Sequence, residues 1–130
     1  MFVDTSAVVA ILLGEEDARD LSQRLENARQ RLTSPLVILE ATMRLSTKLD
    51  IDLLEVETMI DAFLAEGEIE IVPIGHEDGR AAVRAFAQYG KGRGHPARLN
   101  LADCLSYACA KNRNLPLLYK GGDFAQTDLR

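Results

Sequence analysis

Cysteine is scarce, long apolar runs are missing and net positive charge is absent, and each lack removes a class of protein. The 130 residues hold two cysteines, Cys104 and Cys109. They fall five apart in one predicted helix, so their side chains point to different faces and cannot meet the geometry of a disulfide. The CxxC spacing of a thiolate metal clamp is also missing. Buried structural thiols in a reducing compartment are expected. No segment approaches the roughly 20 consecutive apolar residues of a membrane helix. The run Ala7 to Leu13 has the apolar character of a leader, but no basic residue precedes it, Asp4 stands in that place, and Glu15, Glu16 and Asp17 follow. A cytoplasmic protein without membrane contact is the expectation.

The net charge of -5 argues against a general nucleic-acid coat, yet the charge is unevenly spread. Residues 1–90 carry 8 Lys/Arg against 17 Asp/Glu, while residues 91–130 carry 7 against 3. A basic final third beside an acidic remainder suits a phosphate-bearing ligand. With 47% hydrophobic and 27% charged residues the composition is that of a globular protein, and the length suits one domain, residues 1–130, with a real core. No internal repeat is visible.

Phe2-Val3 reads as a short central strand. Helical periodicity runs over Glu15 to Arg29, with Leu21 and Leu25 on one face and acids in the first turn. Arg31-Leu32-Thr33 is a second strand. Ser34 is a good N-cap and Pro35 suits the first helical position, predicting a helix to Lys48 with Leu36, Leu39, Met43 and Leu45 inward. Asp52 caps a helix from Leu53 to Glu66. Glu68 to Ile74 alternates at period two and is the clearest strand by pattern. Helices follow over Glu77–Tyr89 and Leu101–Lys111, then a strand over Leu115–Tyr119. Strands alternating with helices imply an α/β fold with a short, mainly parallel sheet of about four strands, flanked by helices on both faces.

Four carboxylates interrupt apolar stretches: Asp4 after the first strand, Glu40 in Leu36-Val37-Ile38-Leu39-Glu40, Asp103 three residues after Asn100, and Asp123 beyond the last strand. Charges in such settings are costly unless paired or bound to a cation. In a parallel α/β fold all four can reach the carboxyl edge of the sheet, where ligands bind. Converging acids must either raise their pKa values or admit cations. An all-oxygen donor set with no Cys or His selects Mg²⁺ or Mn²⁺ over zinc. Thr5, Ser6 and Asn100 are supporting candidates, and Thr5 or Ser6 could equally cap the next helix.

Met1-Phe2-Val3-Asp4-Thr5-Ser6-Ala7, the helix holding Glu40, Leu99-Asn100-Leu101-Ala102-Asp103-Cys104 and Pro116-Leu117-Leu118-Tyr119-Lys120-Gly121-Gly122-Asp123-Phe124 together resemble the PIN domain, and more narrowly the VapC-type toxins of toxin–antitoxin modules. The resemblance implies a divalent-metal-dependent endoribonuclease that cleaves RNA with a metal-activated water and is inhibited by a cognate antitoxin. It implies catalytic and metal-binding roles for Asp4, Glu40, Asp103 and Asp123. Related chains often carry two acids in the last segment; here Lys120-Gly121-Gly122 precede a single Asp123. That departure supports the alternative, a catalytically incomplete PIN module that binds RNA or protein. An aspartyl-phosphate enzyme is a weaker rival, because Ser6 stands where a second acid would be needed.

The stretch Lys91-Gly92-Arg93-Gly94-His95-Pro96-Ala97-Arg98 offers glycines for close backbone approach and Lys91, Arg93 and Arg98 for phosphates. Its alternative is a mobile surface loop. His95 and His76 are poor general-base candidates. Residues 36–64 carry more apolar positions than one core face needs, which suits an antitoxin helix or a homodimer surface as well as an internal helical pair.

Overall fold

A computed structural model describes residues 1–129. In chain order the elements are β1 (Phe2–Val3), α1 (Thr5–Leu13), α2 (Ala18–Asn27), β2 (Leu32–Thr33), α3 (Pro35–Leu49), α4 (Leu53–Glu66), β3 (Glu70–Ile71), α5 (His76–Tyr89), α6 (Leu101–Asn112) and β4 (Leu117–Leu118), with a 3-10 turn over Phe124–Gln126. The strands form one parallel sheet in the order β3-β2-β1-β4, with Phe2 opposite both Leu32 and Leu117, and Leu32 opposite Glu70. The expected α/β architecture is therefore present. The chain moves outward from β1 to β3 and then jumps back across the sheet to β4, so the right-handed crossover rule assigns α1–α4 to one face and α5–α6 to the other.

Phe2, Val3, Leu118 and Leu99 are fully buried at the centre, and Thr33 Oγ1 donates to the Val3 carbonyl at 2.9 Å, tying β2 to β1 beyond the backbone ladder. Among the described residues α5 and α6 make the most extensive contact of any two elements. It is locked by Arg113, whose guanidinium donates in a fork to both oxygens of buried Asp78, at 2.8 and 3.2 Å, and to the carbonyls of Cys109 and Pro73. Burial alone would raise the Asp78 carboxyl, but the bonds from Arg113, Gly75 N–H and Asn112 outweigh it and hold the group below its ordinary range.

Four sequence expectations shift. The second helix starts at Ala18 rather than Glu15, because Gly14 ends α1 in the left-handed region (φ 64°) and residues 15–17 form the turn between the two helices. The inward face of α3 is Val37, Ala41 and Leu45; Leu39 and Met43 are 56% and 55% exposed. Two apolar stripes with the same i, i+4 spacing compete on one helix, and the one that meets α1 and α4 is buried. The strand expected over residues 68–74 shrinks to Glu70–Ile71 at the sheet edge, with only Ile69 buried there, since Glu68 is left-handed (φ 51°) and Pro73 has no N–H to donate. The cap of α1 is Asp4 itself, not Thr5 or Ser6.

Candidate active site

The sheet reverses its winding between β1 and β4: the connection leaving β1 goes one way, and the strand on its other side is the last in the order of the chain. Asp4 directly follows β1, and Asp123 lies beyond β4 at the same carboxyl edge. Asp4 is 3% exposed. Its Oδ2 accepts from Ser6 N–H at 3.0 Å and from Ser6 Oγ at 2.7 Å, while Ser6 Oγ accepts from Lys120 N–H at 3.0 Å. The α1 cap and the β4 loop therefore meet on one hydroxyl. Thr5 Oγ1, buried in the next position, has no hydrogen-bond partner among the described residues.

Asp103 is held by a reciprocal cap: Asn100 Oδ1 accepts from Asp103 N–H at 2.9 Å and Asp103 Oδ2 accepts from Asn100 N–H at 3.1 Å. Burial pushes this carboxyl up, the Asn100 N–H lowers it, and the charges of Asp4, Asp123 and Glu40 raise it again, to about 6. The three charges that act on Asp103 are the other three acids singled out in the sequence. Glu40, half-buried on α3, lies where α3 faces Asn100 and Leu101 of α6. Asp123 is exposed and opens the 3-10 turn without capping it.

The four are thus within electrostatic reach of one another. Among the described residues, however, no three Asp, Glu, His or Cys side chains are drawn together closely enough to ligate one ion. The donor chemistry still fits a hard divalent cation: the groups are all carboxylates, with the unpartnered Thr5 hydroxyl beside Asp4 and no softer ligand. Cys104, next to Asp103, is buried and its thiol is pushed up to about 11 by burial and then by the Asp103 charge, so it remains protonated.

The loop carrying Lys91, Arg93 and Arg98 leads directly into Asn100. Its ends are tied: Lys91 N–H donates to the Leu99 carbonyl and Leu99 N–H to the Tyr89 carbonyl, both at 2.9 Å. Gly92 and Gly94 take positive φ (84° and 79°), as the turns require. Lys91, Arg93 and Arg98 are exposed, and none pairs with an acid among the described residues. His95 faces inward instead. Its Nδ1 accepts from Ala97 N–H at 3.0 Å and its ring packs edge-on against Tyr89 at 4.9 Å. That is an anchor for the loop, and neither His95 nor His76 is among the groups acting on Asp103. Sequence reasoning misses Lys120, whose ammonium pairs with Glu15 and, at 3.4 Å, with Asp17 on the turn after α1. No local signal could reveal a contact spanning 105 residues.

Comparison with known proteins identifies the family and the fold. The PIN domain family matches residues 1–129. Ribonuclease VapC28 of Mycobacterium tuberculosis is 41% identical over 130 residues, covering 100% of this chain and 96% of that one. A VapC ribonuclease of Rhizobium meliloti is 44% identical over 140 residues, covering 98% of each. Among solved structures, M. tuberculosis VapC20, described as a sarcin-ricin loop cleaving toxin, superposes with a TM-score of 0.73 at 16% identity, over 95% of this chain and 92% of that one. A toxin–antitoxin complex from Klebsiella pneumoniae gives 0.69 at 20% identity, over 95% and 89%. At those identities the two structures speak for the fold alone. With the family matched along the described chain and close relatives over its full length, the protein belongs to the PIN-domain family and, within it, to the VapC ribonucleases.

Proposed function

We propose that this chain, acting as one domain over residues 1–130, is a divalent-metal-dependent endoribonuclease and the toxin of a type II toxin–antitoxin pair, working in the cytoplasm. The observation that carries the reading is that the charges of Asp4, Asp123 and Glu40 all act on one carboxyl, Asp103, which burial first and those charges after it raise to about 6. Asp4, Glu40 and Asp103, with Asp123, would hold a Mg²⁺ or Mn²⁺ ion. When bound, the ion supplies the Lewis acidity that phosphodiester hydrolysis requires. Ser6 engages only Oδ2 of Asp4, so Oδ1 keeps its lone pairs for a ligand. Lys91, Arg93 and Arg98 hold RNA phosphates beside the α6 end of the site. The antitoxin is read as a helix against exposed Leu39, Met43, Leu49, Leu53 and Leu54, with an Arg placed among the acids where it can fork onto a carboxylate. A homodimer would use Val83, Phe86 and Leu101, which are 70%, 42% and 71% exposed.

Asp4→Asn is the sharpest test, since asparagine caps a helix as well as aspartate and keeps the bond from Ser6. Cleavage of structured RNA in Mg²⁺ should fall by at least about 100-fold, the scale on which loss of a key electrostatic group acts, while the melting temperature holds or rises. Full activity in pure Asp4→Asn protein would remove the assignment.

A further inference from the structure

Lys120 makes one contact at the start of α1 and another just beyond its end. Its N–H donates to Ser6 Oγ in the first turn of α1, and its ammonium pairs with Glu15 and Asp17 just past the end of that helix. The backbone N–H and the ammonium of this one residue thus bracket α1. Ser6 Oγ in turn donates to Asp4 Oδ2 at 2.7 Å. On the other side of Lys120 come Gly121, at φ 100°, and Gly122, and then Asp123. Two glycines form a loose tether, so the position of the Asp123 carboxylate depends on what fixes the ends of the tether. Phe124, 2% exposed and packed on Tyr119 at 5.3 Å between ring centres, fixes one end. Lys120 fixes the other.

An ion pair this exposed contributes little to global stability, so stability does not account for the arrangement. Its geometric effects are two. The backbone N–H of Lys120 holds the hydroxyl that orients Asp4, and the ammonium is directed toward Glu15 and Asp17.

We propose that Lys120 is a positioning residue: by strapping the β4 loop along α1 through Ser6, Glu15 and Asp17, it sets the spacing of Asp4 and Asp123 for a divalent cation. The proposal rests on the metal-site reading given above. It departs from a purely structural role in what it predicts for cation affinity.

The test titrates Mn²⁺ into the full chain by calorimetry and follows RNA cleavage and melting temperature in parallel. Lys120→Ala should raise the Mn²⁺ dissociation constant about tenfold and lower kcat by a similar factor, with KM for RNA and the melting temperature of the ion-free protein unchanged. Lys120→Arg, able to fork onto both acids, should recover most of the loss. The pair Glu15→Gln with Asp17→Asn should reproduce the defect with Lys120 intact, and it supplies the answer if Lys120→Ala folds poorly. Wild-type Mn²⁺ affinity in either set of variants overturns the strap. Wild-type protein that binds no Mn²⁺ overturns the metal-site reading itself, and an RNA KM that rises while Mn²⁺ affinity holds would make Lys120 a substrate-binding residue instead.

Discussion

At the scale of single residues, Asp103 gives the site a measurable signature. Its folded pKa of about 6 lies above the ordinary 3.8. Between those values the folded chain holds a proton that the unfolded chain has released, so stability falls as pH rises through that window and the loss is complete above it. In EDTA, the difference in unfolding free energy between wild type and Asp103→Asn should grow from near zero at about pH 4 to on the order of 1–3 kcal/mol at about pH 7.5 in favour of the variant. Chemical denaturation across that range checks it; a flat difference would mean that Asp103 is neither desolvated nor crowded by the other acids. The acids themselves are legible in the sequence because charge inside an apolar stretch is conspicuous. Ser6 is legible only as a candidate. Its part as the hydroxyl shared by Asp4 and Lys120 depends on a partner 114 positions away, and no local pattern encodes that.

Among elements, the loop between α5 and α6 carries the clearest expectation. With its ends pinned to Leu99 and Tyr89 and with His95 turned inward, it presents Arg93 and Arg98 from a fixed base. Removing both charges with Arg93→Gln and Arg98→Gln should weaken RNA binding and flatten the dependence of log affinity on log salt, by about one unit for each phosphate no longer neutralised. Turnover at saturating RNA should persist. Filter binding at several salt concentrations reads the slope, and an unchanged slope returns the loop to an ordinary surface. Element types are largely legible from caps: Ser34, Asp52 and Asn100 each open the helix expected of them. Faces are harder. Leu39 and Val37 are equally apolar, and only the packing of α3 against α1 and α4 decides which is buried. The edge strand is over-read because alternation of side chains persists in extended chain that forms no ladder.

For the molecule as a whole, the strands are two residues each, so little of the cohesion comes from the sheet and much from helix packing. The Arg113–Asp78 fork is the polar fastening of the α5–α6 pair. Arg113→Ala would strand a carboxylate that is 6% exposed, at a cost of about 3 kcal/mol. In a chain of this size that lowers the melting temperature by roughly 10 °C, measurable by calorimetry, with RNA cleavage intact at low temperature. A shift of under about 2 °C, well below what a stranded charge costs, would show that water reaches the pair and that the fork is ornamental to stability.

The strand order has a consequence for synthesis. β1 is made early, yet its neighbour β4 begins at Leu117, so Asp4 and Asp123 are brought to one edge only once that distant segment has left the ribosome. Contacts so far apart in sequence close late in folding. A nascent chain therefore carries Asp4, Glu40 and Asp103 past the translation machinery with one side of β1 unpaired and the fourth acid missing. The edge that gathers all four acids is therefore completed only when β4 emerges and pairs with β1.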